Sequence, residues 1–246
     1  MPLTRSNTLL LLLITVPLAL LTIVALPAHA AAPLPDFTAY YSAYKGSFRM
    51  ARARVSLEHT GNQYIYTSFT EPAGLLALFR SDTITERSTW IYHNDRIRPL
   101  EYHYVLKGGR SKDVRLDFRW DEHRVFNTVA GHTWHMSIPD DALDKFSVQL
   151  AVMLDLRAKR RPLDYDIADG GKLKHWSFTV LGNETVSTPA GVFDAVKLLR
   201  DRDPDNKRQT FMWCAPKLDY LLIKIEHIEK DGSRFHMSLD KVDGIR

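Results

Sequence analysis

The chain has 246 residues, 45% of them apolar, and 33 lysines and arginines against 29 acids give a formal charge of +4. So even a balance excludes the dense basic surface on which nucleic-acid binding depends. One cysteine, Cys214, excludes an intrachain disulfide framework, so stability has to come from a buried core.

In chain order, Met1–Asn7 is a short polar start carrying Arg5. Leu9–Leu26 is apolar except for Thr15, Pro17 and Thr22. Pro27-Ala28-His29-Ala30 then sets small residues at the positions where the narrow pockets of a signal peptidase accept nothing larger. Residues 1–30 therefore read as a cleaved signal peptide. The mature chain, 31–246, reads as a single domain in the periplasm that does not span the membrane. The competing reading is a retained anchor, because the apolar run approaches the roughly 20 residues a spanning helix needs. No cysteine stands at the cleavage point, which argues against a lipid-modified lipoprotein. Loss of Arg5 leaves 32 basic residues against 29 acidic ones, a charge of +3.

The mature chain reads as strand, turn, strand. Thr38–Lys45 is aromatic and β-prone. Ala51, Ala53, Val55 and Leu57 alternate with Arg52, Arg54, Ser56 and Glu58, which puts apolar groups on one face of a strand. His59-Thr60-Gly61-Asn62 turns into the returning strand Gln63–Phe69. Glu71–Arg80 breaks the rhythm: Leu75, Leu76, Leu78 and Phe79 come after Pro72 and Gly74 without alternation, predicting a short helix or loop with apolar residues. Thr83–Tyr92 and Ile97–Lys107 flank a turn at His93-Asn94-Asp95, and Gly108-Gly109 is a tight-turn signal. Asp113–Trp120, Arg124–Val129 and His132–Ile138 continue the meander.

One helix is predicted, over Asp141–Lys159. Asp140 or Asp141 would cap it, and Leu143, Phe146, Leu150, Met153 and Leu154 recur at three and four as one apolar stripe. Lys159, Arg160 and Arg161 suit its negative end, and Pro162 stops it. Strands resume over Leu173–Leu181, Glu184–Ser187, Val192–Arg200, Lys207–Cys214, Tyr220–Glu229 and Arg234–Val242, with Asp201–Asn206 a polar loop. Cys214 is expected as a small buried strand residue rather than a reactive thiol. The fold expected is mainly β: a single antiparallel curved sheet, a half-barrel or barrel-like meander, with one central α-helix.

Motifs for chemistry are sparse. His132 and His135 stand three apart, which on a strand means opposite faces. His93 and His103 lie on neighbouring strands, but no zinc-type spacing accompanies them, so no metal is expected. There is no G-x-S-x-G elbow, phosphate loop or dinucleotide fingerprint, and hence no cofactor is expected. Asp164 and Asp166 share a strand face, where solvation explains them. Aromatics are concentrated in the first half, and a curved sheet lined by them would suit an acyl chain or apolar peptide. The ligand-binding candidates are Tyr64, Tyr66, Leu75, Leu78, Phe79, Trp90, Tyr102 and Tyr104. A sheet core that happens to use aromatics is the alternative.

Three features together, Ile97-Arg98-Pro99-Leu100-Glu101-Tyr102, Thr188-Pro189-Ala190-Gly191-Val192-Phe193 and Trp213-Cys214-Ala215-Pro216, resemble a family of bacterial envelope proteins, domain of unknown function 3108. The tail Ile223–Gly232 also fits, although Leu222 stands where a proline is expected. The resemblance covers nearly the whole mature chain. It implies a fold similar to the half-barrels of periplasmic lipoprotein carriers, whose concave face holds acyl chains, and it implies no catalytic residue. The expected function is a non-catalytic binding or scaffold protein for a lipid, another apolar ligand or an envelope protein. The alternative is an envelope hydrolase in which the fold brings together some of His93, His103, His132, Asp113 and Glu101. A third possibility is a protein partner added at a sheet edge.

Overall fold

The computed structural model describes residues 33–201 and 208–245. The expected signal peptide, 1–30, and positions 202–206 of the polar loop lie outside them.

The chain runs as β1 (Phe37–Lys45), β2 (Phe48–Thr60), β3 (Gln63–Pro72), a 3-10 turn at Gly74–Leu78, β4 (Thr83–His93), β5 (Arg96–Lys107), β6 (Lys112–Arg119), β7 (Arg124–Val129) and β8 (His132–Ser137). It continues as β9 (Leu143–Asp144), the helix α1 (Val148–Arg157), β10 (Leu163–Asp169), β11 (Lys172–Thr188), β12 (Gly191–Arg200), β13 (Gln209–Ala215), β14 (Leu221–Ile228) and β15 (Arg234–Asp243). All fifteen strands form one sheet, ordered β8-β7-β6-β5-β4-β3-β2-β1-β15-β14-β13-β12-β11-β10-β9. The mainly-β curved sheet expected from the alternation is the architecture found, and it is open rather than closed into a barrel. Every ladder is antiparallel except the short β9–β10 pair. The first and last strands meet in mid-sheet, Thr38 opposite Asp243 and Lys45 opposite Phe235.

Curvature is evident from one contact. In a flat sheet of this order β8 and β10 would stand roughly 60 Å apart. Instead Trp134 of β8 lies against the β10–β11 turn, so closely that a Cβ at Gly171 would sit 2.5 Å from its indole nitrogen. The sheet has curled until its edges face each other across an unpaired seam. Because successive hairpins alternate direction, the connections 45–48, 72–83, 107–112, 129–132 and 169–172 gather at one end, called the mouth. The connections 60–63, 93–96 and 119–124 lie at the far end.

The helix departs from expectation at its start. It begins at Val148 rather than Asp141, because Leu143 and Asp144 pair as a strand with Ile167 and Ala168. The capping carboxylate is that of Asp144, not Asp140 or Asp141. It accepts hydrogen bonds from the backbone N–H groups of Phe146 (2.8 Å) and Ser147 (2.7 Å) and from the Ser88 hydroxyl (2.6 Å). Two otherwise unsatisfied amides at the helix start are thereby paired. In place of a single stripe, Val148, Leu150, Ala151, Val152, Met153, Leu154 and Leu156 are all buried, because the curled sheet surrounds the helix. Each large apolar side chain so enclosed contributes about 1.5–3 kcal/mol. At the far end Arg160 Nε donates to Asp155 Oδ1 (2.5 Å) and its Nη2 to the Asp95 carbonyl (3.3 Å), so the basic cluster does close the helix. The two strands expected over 173–187 are one strand, β11, bulged between Val180 and Gly182. Cys214 is buried in β13, and burial pushes its thiol up to about 12, which keeps it protonated and inert. Among the described residues no helix is long and apolar enough to cross a membrane.

Candidate functional site: the mouth of the curled sheet

The concave face divides along its length. In the far half the helix and the sheet aromatics fill it around Trp90 and Tyr66, leaving a polar cleft of about 510 Å³ at the far rim beside His93, Asp140 and Asp141. Tyr64 stacks on Trp90 with ring centroids 4.2 Å apart, and Tyr66 stacks on Phe146 at 4.1 Å. Trp90 is 0% exposed. The cleft beside Asp155 and Tyr165 has a volume of about 20 Å³, room for a single water. In the mouth half no helix covers the sheet, and a cavity of about 400 Å³ remains.

Strand periodicity builds that cavity. Tyr102 and Tyr104 of β5 pair with Leu116 and Val114 of β6, and these pair with Asn127 and Val129 of β7. Directly opposed residues share a face, so two tyrosine rings and three aliphatic side chains form one wall. Asn127 in turn pairs with Trp134, which stands at the seam with 40% of its surface exposed and continues that wall. Asp169 and Gly170 of the β10–β11 turn close the opposite side. Lys145, just ahead of the helix, forms the floor: its ammonium lies 3.1 Å from Glu86 Oε1 and 4.5 Å from the Tyr104 ring centroid. Lys112 stands at the rim. The Tyr102 hydroxyl donates to Glu86 (2.6 Å), and burial together with that carboxylate holds its pKa far above the ordinary tyrosine value. Both tyrosines offer flat apolar surface, and the Tyr102 hydroxyl is a fixed polar edge.

The eight residues expected to line one groove are not brought together. Tyr64, Tyr66 and Trp90 point to the concave face but are packed under the helix. Tyr102 and Tyr104 line the mouth cavity. Leu75, Leu78 and Phe79 stand outside the concave face, because the 3-10 turn lies beyond the ends of β3 and β4 and cannot reach it. Trp134, Lys145, Val114 and Val129 complete the lining and were not anticipated. Their signal was present only as alternation in β6–β8; that Trp134 faces the Gly170-Gly171 turn depends on how far the sheet curls.

Of the groups considered for hydrolysis, His103 and Asp113 meet, but on the outer face rather than in a concave site. His103 Nε2 lies 2.9 Å from Asp113 Oδ1 on the outer face, and Glu101 pairs with Arg115 there at 3.4 Å. His93 is at the far end beside Arg96, and His132 begins β8 at the mouth. His175 engages Asp166 at an exposed pair (3.1 Å). No cluster of three His, Cys, Asp or Glu with metal-binding geometry occurs among the described residues.

A family model for a protein of unknown function, DUF3108, matches residues 36–240, from the entry into β1 to within three residues of the end of β15. The chain belongs to the DUF3108 family. No curated protein matches it significantly. Among solved structures, this DUF3108 chain is similar to a beta-barrel-like protein of the DUF1849 family from Brucella abortus. The TM-score is 0.56 at 9% identity, over 86% of this chain and 98% of the other. A Bacteroides fragilis protein of YmcC-like fold overlaps with a TM-score of 0.36 at 10% identity, over 85% of this chain and 98% of that one. At such identity the first likeness establishes a shared fold for DUF3108 and DUF1849, and nothing about chemistry.

Proposed function

We propose that this DUF3108 chain is a non-catalytic, exported envelope protein that holds a lipophilic ligand, such as an acyl chain, in the mouth cavity. The observation that carries the reading is the contrast within one concave face: aromatic side chains packed under the helix around Trp90 and Tyr66, and an unfilled mouth half of about 400 Å³ walled by Tyr102, Tyr104 and Trp134. That volume falls in the range of small-ligand sites, roughly 300–1,000 Å³. Aromatic rings and valines supply the apolar contact, and Lys112 and Lys145 supply polar anchors at rim and floor. The charged start, apolar run and Ala28-His29-Ala30 end of residues 1–30 support export to the periplasm.

The test begins with the full chain expressed in a bacterium and the protein recovered from the periplasmic fraction. Solvent extraction is expected to release a bound lipid, and a fluorescent acyl probe is expected to bind in its place. Tyr104→Ala combined with Trp134→Ala should weaken the probe about tenfold, the effect of losing roughly 1.4 kcal/mol of apolar contact. Recovery of the intact chain from the cytosol would refute export, and a ligand-free protein that ignores the probe would refute the cavity.

A further inference from the structure

The same mouth carries a second feature on its outer rim. Phe48, Leu75, Leu78 and Phe79 are 72%, 72%, 75% and 83% exposed, whereas the other large apolar side chains among the described residues are mostly enclosed. They project from two adjacent connections, β1–β2 and β3–β4, and three of them, Phe48, Leu75 and Phe79, flank an open cleft of about 520 Å³. Isolated exposed leucines need no explanation; four large side chains together at one end do.

The protrusion is rigidly seated. The Ala73 N–H donates to the Met50 carbonyl (3.0 Å). Gly74 adopts φ +62° and passes so near Arg49 that a Cβ would lie 2.9 Å from its carbonyl oxygen. Asp82 Oδ1 accepts from the Gly109 N–H (3.0 Å) and its other oxygen from Arg80 (2.8 Å), which ties the β3–β4 connection to the β5–β6 turn. These side chains are therefore held outward rather than folded back.

Charge says what they meet. The three neighbouring connections carry Lys45, Arg49, Arg80, Lys107, Arg110 and Lys112, against Glu71, Asp82 and Asp113, and the β14–β15 connection beside β1 adds Lys230 and Arg234 against Glu229 and Asp231. Glu71, Asp82, Asp113 and Glu229 are engaged locally, with Arg52, Arg80, His103 and Arg208. A raised apolar tip ringed by basic side chains is the pattern of a surface that inserts at an anionic bilayer interface, where arginine and lysine sit at the headgroups and phenylalanine and leucine enter the acyl boundary. The tip sits on connections between strands that are paired on both sides, so it presents no open strand edge for augmentation. We infer that the Phe48–Leu75–Leu78–Phe79 tip docks the protein onto an anionic phospholipid membrane, mouth first.

Co-sedimentation with vesicles of phosphatidylglycerol and phosphatidylcholine tests this, using the same protein preparation for wild type and variants. The wild type should bind mixed vesicles and fall off by about tenfold or more on pure phosphatidylcholine or at high salt. Leu78→Ser with Phe79→Ser should lower binding by at least tenfold. Arg49→Glu with Arg110→Glu should do so on anionic vesicles only. Val192→Ser, which removes an equally exposed side chain (69%) from the β11–β12 turn at the far end, should change nothing. Tyr104→Ala should spare vesicle binding, which separates this surface from the cavity. Binding that ignores both double variants would overturn the inference. So would a wild-type dimer in solution that Leu78→Ser with Phe79→Ser converts to monomer, for the tip would then be a contact between copies.

Discussion

The two halves of the concave face are made of the same materials and end differently. Around Trp90 and Tyr66, aromatic side chains meet the helix and lose all contact with solvent. Around Tyr104 and Trp134, similar side chains on the same sheet are left half-exposed, because the helix begins only at Val148 and runs away toward the far end. The position of one carboxylate sets the boundary. Asp144 stops the strand, starts the helix and is bound to Ser88 in the middle of β4, so everything on the mouth side of Ser88 stays uncovered. An open cavity here arises by withholding a helical turn rather than by adding a loop.

Substitutions can break that contrast. Trp90→Ala should cost about 3–5 kcal/mol and lower the melting temperature by on the order of 10 °C, followed by circular dichroism. Trp134→Ala should cost less than about 1 kcal/mol while diminishing probe binding; an equal loss of stability at both positions would make the mouth ordinary core. Asp144→Ala leaves two buried amides unpaired and should cost about 2–4 kcal/mol. Asp144→Asn keeps an acceptor for them and should cost far less. The pair also has a pH signature. Burial raises the Asp144 carboxyl above its ordinary 3.8. Between that value and the raised one the folded protein holds a proton that the unfolded chain has released, so this group makes stability fall as pH rises through the interval. Asp144→Asn should abolish that contribution in melts taken across mildly acidic pH.

At the alkaline side the filled half should fail by its tyrosines. Tyr41, Tyr66 and Tyr165 are held protonated chiefly by burial, above the ordinary value of 10.0. Past pH 10 the unfolded chain loses protons that the folded one retains, so stability should decline from there upward, with Tyr66→Phe reducing the slope. The smallest effect is expected at the far-end turn, where Val192→Ser should stay within about 0.5 kcal/mol of wild type.

The strands were legible because each carries its own pattern: Ala51 to Leu57, and Val114 to Trp120, alternate whatever lies around them. The helix start was not, because Leu143 satisfies a helical spacing and a strand pair with Ile167 equally well, and Asp144 declares its role only when Ser88 is beside it. For the cavity, the tyrosines of β5 could be read as candidates. Trp134 and Lys145 could not, since their place depends on how far fourteen successive ladders rotate the sheet, a quantity that no local window contains.

The meeting of β1 and β15 in mid-sheet has a kinetic consequence. Until the final strand is available, β1 and β14 are both raw edges with open hydrogen-bonding groups, and the two lobes they border have no ladder to join them. The joining event links the most distant parts of the chain, so assembly has high contact order and its decisive step comes last. A chain threaded through a translocase amino-terminus first would wait throughout its passage with sticky borders uncapped, dependent on escort against aggregation.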